Sequence, residues 1–117
     1  MPTAESVTSG ALKTLAGGRV YPDVAPAAAA LPRIVYQSVG GVDETTFDGA
    51  DTLKNSRMQV AVWATTRAEA ATIIQQVRAA LTAAPVVGTP IGAPVSVYED
   101  DTKLYGSRQD FSIWFQE

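Results

Sequence analysis

The side chains that could do chemistry in this chain are carboxylates and arginines, because it contains no histidine and no cysteine. Without those two residue types neither a histidine-activated nor a thiolate nucleophile can be built. Disulfides and thiolate metal sites are excluded as well. Glu99-Asp100-Asp101 could offer oxygen ligands to a hard divalent cation. Its spacing lacks the alternating ligands and the glycine of a calcium loop, and it reads as a solvated turn. A second acidic group, Asp43, Glu44, Asp48 and Asp51, lies between Val42 and Asn55 with no basic residue before Lys54. It meets the same objection as a metal site, but a concentration of one charge sign repels polyanions such as DNA. Gly17-Gly18-Arg19 has the composition of a phosphate loop, yet it follows a helical pattern instead of opening one, so no helix amides are aimed at it. These residues mark no catalytic, cofactor-binding or metal site, and the chain reads as a non-enzyme.

The element that must position everything else is Arg57 to Leu81, a central strand running into the best-defined helix. Met58, Val60 and Val62 alternate with Arg57, Gln59 and Ala61, the period of a strand with one buried face. Ala70, Ile73, Ile74, Val77 and Leu81 then recur at the three-and-four spacing of a helical stripe. Thr66-Arg67-Ala68-Glu69 between them has the form of a capping box and sets the helix start. Before this unit, residues 3 to 16 read as a first helix with Val7, Ala11, Leu12 and Leu15 inward and Gly17-Gly18 as its stop. Arg19-Val20-Tyr21 gives a short extended segment, and Pro22, Pro26 and Pro32 punctuate an irregular stretch. Arg33 to Val39 is a β-branched strand ended by Gly40-Gly41. The acidic connection from Val42 to Asn55 is longer than most hairpin loops.

Downstream of the helix, Val86 to Pro94 carries Gly88, Pro90, Gly92 and Pro94 and reads as an exposed, irregular edge or loop. Val95 to Tyr98 resumes as a strand, Glu99 to Lys103 turns, and Leu104 to Gln116 returns as the last strand. In that return Phe111, Ile113 and Phe115 share one face, while Asp110, Ser112 and Trp114 share the other. The order helix, strand, strand, helix, strand, strand predicts an α+β fold: a mainly antiparallel sheet of about four strands with two helices packed on one face. At 117 residues the chain fits one domain spanning 1–117, able to bury roughly 65% of its unfolded surface around a single core.

Hydrophobic residues at 46% and charged residues at 18% are globular values. A net charge of -3 with scattered basic residues gives no electrostatic reason to seek nucleic acid or an anionic membrane. No run approaches the roughly 20 apolar residues that span a bilayer, and the first residues lack a basic start and apolar centre. Cytosolic synthesis is the expectation, with export only as part of a particle. By alternation Trp63 falls beside Gln59 and Ala61, and Trp114 beside Asp110 and Ser112, opposite the inferred core residues. Two tryptophans on the open face of a small sheet mark either an interface or a site covered by the first helix or the Pro-rich stretch.

Several segments taken together resemble one family. They are Leu15-Ala16-Gly17-Gly18-Arg19-Val20-Tyr21-Pro22, Leu31-Pro32-Arg33-Ile34-Val35-Tyr36-Gln37, Arg57-Met58-Gln59-Val60-Ala61-Val62-Trp63-Ala64, and Tyr98-Glu99-Asp100-Asp101 followed by Gln109-Asp110-Phe111-Ser112-Ile113-Trp114. In this order they resemble the tail-completion or tail-terminator proteins of long-tailed bacteriophages and prophages. The resemblance implies a structural virion protein, assembled in the host cytoplasm, that forms a ring, commonly of six subunits, at the head-proximal end of the tail. Its implied partners are further copies of itself, the tail tube protein and a neck or head-completion protein. It implies no catalytic residues and no cofactor. A closing ring needs a heterologous interface, for which Arg57, Gln59, Trp63 and Trp114 are the candidate residues. Asp43, Glu44, Asp48 and Asp51 are the candidates for a loop facing the lumen or tube, where they keep DNA from sticking. Alternatives are another head-tail connector component, a nucleic-acid-binding module and a metal-dependent hydrolase. The nucleic-acid module needs Arg19, Arg33, Arg57 and Arg108 on one face. The hydrolase needs Glu99, Asp100, Asp101 and Asp110 to converge.

Overall fold

The computed structural model of the chain describes residues 3–42 and 53–116. Helix α1 spans Ala4–Leu12, and a 3-10 turn at Leu15–Gly18 leads to strand β1 at Val20–Pro22. Strand β2 spans Arg33–Ser38, β3 Leu53–Ala64, helix α2 Arg67–Thr82, β4 Thr89–Glu99 and β5 Leu104–Gln116. The sheet order is β1-β2-β3-β5-β4. Every neighbouring pair is antiparallel except β1 with β2, which is parallel. The architecture is α+β as expected, but the sheet has five strands rather than about four and is mixed. The additional strand is Val20–Pro22, too short to carry a period of its own; its place is set by pairing with Ile34, Val35 and Tyr36.

Helix α2 follows its sequence signal closely. Ala70, Ile73, Ile74, Val77 and Leu81 are its buried residues, and they meet Ile34, Met58, Val60, Val62, Phe111 and Ile113 in one core. Each of the large side chains in that core contributes roughly 1.5–3 kcal/mol by leaving water. At the helix start Thr66 Oγ1 accepts the Glu69 amide at 3.1 Å, the forward half of the expected capping box. The reciprocal box forms instead on α1, where the Thr3 amide donates to Ser6 Oγ at 2.9 Å and the Ser6 amide to Thr3 Oγ1 at 3.1 Å. A serine at the third helical position does there what glutamate usually does. Helix α1 ends at Leu12, earlier than the expected residue 16, and Leu15–Gly18 follows as a 3-10 turn in which Ala16 and Gly17 take left-handed backbone. Its Leu12 is fully buried, and Val7, Ala11 and Leu15 pack at the rim of the same core. Both helices therefore cover one face of the sheet.

Strand β3 begins at Leu53, inside the stretch expected to be loop. Lys54, Asn55 and Ser56 pair with Phe115, Trp114 and Ile113. Hydrogen bonds hold this polar extension: Asn55 Nδ2 donates to Ser112 Oγ at 2.9 Å, its Oδ1 accepts the Val42 amide at 3.0 Å, and Ser56 Oγ lies 2.8 Å from Ser38 Oγ. Strand β4 is the outer strand, and it starts within the stretch read as an irregular edge. Its pairing with β5 is interrupted between Ile91 and Val95, at Gly92, whose φ is +72°. Gln109 Nε2 donates to the Gly92 carbonyl across this bulge at 2.8 Å. Prolines at 90 and 94 are tolerated because the edge carries no further ladder. Strands β3 and β4 run parallel with β5 between them, so α2 is the crossover of a split β-α-β unit.

Candidate functional site

With both helices on one side, the other face of the sheet is left bare by the described residues. The register lays its side chains out in rows across β2, β3, β5 and β4. One row is Arg33, Trp63, Gly106 and Val97; the next is Val35, Ala61, Arg108 and Val95; the third is Gln37, Gln59, Asp110 and Ile91. Among the described residues no helix covers these rows, and Asp23 to Ala25 borders them at the β2 side.

Trp63 is half-buried because its own sheet supplies a seat for it. Gly106 lies directly opposite on β5, where a Cβ would come within 2.8 Å of the indole and 2.6 Å of Val97 Cγ2. A residue without a side chain is what allows the ring to lie flat across the strand. The remaining part of the indole faces an open hollow of about 260 Å³ bounded by Asp23, Val24, Arg33, Glu99 and Leu104. Arg33 Nη1 donates to the Ala29 carbonyl at 3.2 Å, and its Nε is buried without a partner.

Trp114 shares the bare face by alternation but stands at its other end. It pairs with Asn55, eight residues before Trp63 on β3, or about 27 Å along the strand. It is 40% exposed and lines a mostly apolar groove of about 470 Å³ with Val7, Ala11, Leu53, Val86 and Phe115. The four candidate interface residues thus form no one cluster: Trp63 stands at one end of the bare face and Arg57 and Gln59 in its middle, while Trp114 lies at the far end of the sheet in a groove shared with α1.

Arg57 is held by a residue that sequence reading had assigned only to a hypothetical metal site. Its Nε donates to Asp110 Oδ2 at 2.7 Å across the β3–β5 diagonal. The arginine side chain is half exposed, so the pair contributes about 0.2–1 kcal/mol, but it cancels the charge of both groups at the centre of the face. Asp110 lies six residues along β5 from Leu104, the partner of Glu99, about 20 Å away. The carboxylates required by the hydrolase reading therefore do not converge, and no cluster able to hold a metal occurs among the described residues. Of the arginines required by the nucleic-acid reading, Arg33, Arg57 and Arg108 do share the bare face. Arg19 turns away to the Pro32 carbonyl at 2.8 Å. With Arg57 neutralised and Arg33 anchored on backbone, the face carries no basic stripe.

Asp43, Glu44, Asp48 and Asp51 lie outside the described residues. Gly106 and Asp110 are the contributors that sequence reading missed. The signal for Gly106 was an isolated glycine within a strand pattern, which indicates a close approach; Asp110 needed the register.

Both the sequence and the fold have counterparts among known proteins. The family model described as tail completion protein gp17 matches residues 4–116. No curated protein sequence matches. Among solved structures, a chain from the virion of a native gene transfer agent particle superposes with a TM-score of 0.65 at 18% identity, covering 97% of this chain and 87% of that one. At that identity the superposition speaks for the fold; membership rests on the family model, which takes in nearly the whole chain. The chain belongs to the gp17 family of tail completion proteins.

Proposed function

We propose that this protein, a structural component of the virion tail, forms a homo-oligomeric ring at the head-proximal end of the tail. There it stops polymerisation of the tail tube and presents a docking surface to the neck. The observation that carries this reading is the bare sheet face. A domain of this size ordinarily covers its sheet or makes the open side uniformly polar. Here the open side keeps a half-buried tryptophan at one end, an exposed one at the other, and Val35, Ala61, Val95 and Ile91 between them. Mixed apolar and polar character with aromatic anchors is the composition of a protein interface. The match to a virion chain supports placement among other virion proteins. The acidic residues 43, 44, 48 and 51 fit a lining that keeps passing DNA from adhering.

Electron microscopy of tails assembled with and without the protein tests the reading. Loss of the chain should give tubes of uncontrolled length that fail to join heads. Tubes of normal length, joined normally, would remove it from the terminating position.

A further inference from the structure

Of the three arginines on the bare face, Arg108 alone has neither a hydrogen-bond nor an ion-pair partner among the described residues, and it points to how one copy meets the next. Arg57 is paired with Asp110, and Arg33 donates to backbone beside Asp23 and Glu99. Arg108 is exposed, and no carboxylate pairs with it among the described residues. It rises from the row Val35, Ala61 and Val95, beside the Arg57–Asp110 pair and Gln59 in a shared hollow, and since that pair is internally neutral the charge of Arg108 is the one left uncompensated there among the described residues. The complementary element is the tip of the β4–β5 hairpin. Glu99, Asp100 and Asp101 lie together there against one lysine, Lys103, which reaches Asp100 at 3.5 Å with both side chains exposed. Glu99 accepts the Thr102 hydroxyl at 2.8 Å, and Asp101 is exposed without a partner. Tip and socket belong to the same hairpin but cannot meet within one chain. Four residues of β5 separate Arg108 from Leu104 at the start of the strand, about 13 Å, and Asp101 lies beyond it.

From this charge complementarity we infer that the acidic β4–β5 tip of one copy docks on the Arg108 row of the next, head to tail, a contact that deepens the ring reading and rests on it. Each copy then carries one knob and one socket, the arrangement that closes into a ring instead of stopping at a pair. Val35, Ala61 and Val95 flank the docked tip on one side and Gln59 on the other, and Trp63, one row away, sits at the rim of the same contact.

The absence of native cysteine makes a clean test possible. In the variant Asp101→Cys/Arg108→Cys an intrachain disulfide is out of reach, since bridged Cα atoms lie within about 7 Å, so any disulfide joins two copies. Oxidation should give a reducible ladder ending at the closed ring. A mixture of the two single variants should stop at a heterodimer. The pair Asp101→Cys/Arg78→Cys, which moves one thiol to the outer side of α2, should give no ladder. In the chain without cysteines, Arg108→Glu should lower the yield of ring at least tenfold, and adding Asp100→Lys/Asp101→Lys to the same chain should restore it. A double-cysteine variant that stops at a dimer makes the contact reciprocal and overturns the head-to-tail arrangement. Cross-linking of Arg108→Cys to purified tube protein, with none between copies, assigns the face to the tube and also overturns it. If the unmodified chain forms rings by mass measurement and Arg108→Glu forms them in the same yield, the docking contact is wrong and the ring stands. If imaged tails carry no ring of this chain, both readings fall.

Discussion

The two faces of the one sheet are built by opposite means. On the helix side, Met58, Val60 and Val62 of β3 and Phe111 and Ile113 of β5 are buried in one core with side chains of α1 and α2, and order comes from packing. On the bare side, order comes from register: an ion pair on a diagonal, a glycine beneath an indole, an asparagine tying a loop to a neighbouring strand. The first arrangement concentrates stability and tolerates little change in volume. The second fixes the positions of groups that remain accessible, which is what a binding surface requires. One strand, β3, serves both, with Met58, Val60 and Val62 inward and Arg57, Gln59 and Trp63 outward.

If that division is correct, substitutions on the two faces must separate folding from assembly. Phe111→Ala, at a fully buried position, should cost about 3–5 kcal/mol and show as a large fall in thermal midpoint, with assembly lost only because the fold is. Gly106→Ala forces a methyl against Trp63 and Val97, so overpacking should cost about 1–3 kcal/mol; tryptophan fluorescence should report the displaced indole. Trp63→Ala should lower stability less than Phe111→Ala, because the ring is only half-buried, while weakening ring formation more than folding. Equal loss of both would return Trp63 to the core. Arg57→Ala should change stability by less than about 1 kcal/mol in denaturant titration. Smallest of all in its effect on the fold, neutralising Asp43, Glu44, Asp48 and Asp51 should leave the melting curve and ring formation intact. DNA retention at low salt should rise, and unchanged affinity there would remove the lumen assignment.

How much of this was legible in the sequence follows the same division. The helix-facing side was readable because its signals are periodic and local: the α2 stripe and the Met58, Val60, Val62 alternation lie within single windows of chain. Strand β1 was legible only as a short extended segment at Arg19 to Tyr21, because three residues contain no period and join the sheet only through pairing with β2. The start of β3 was hidden by polar Lys54, Asn55 and Ser56, which are held in the sheet by partners as far away as Ser112 and Ser38. Prolines disguised the start of β4, although an edge strand admits them. The bare face itself was anticipated from Trp63 and Trp114, but its internal order was not. The Arg57–Asp110 pair joins residues more than fifty positions apart, and only the β3–β5 register brings them together.

The central claim is that the bare face is buried between copies of this chain at the head-proximal end of the tail. Electron-microscopic reconstruction of tails carrying the protein tests it most directly. The account predicts one closed ring of this chain at that end, with the row through Arg108 and the exposed side of Trp63 covered by the neighbouring copy. A ring whose subunits meet through α1 and α2, leaving the Trp63 and Arg108 rows open to solvent, would contradict it.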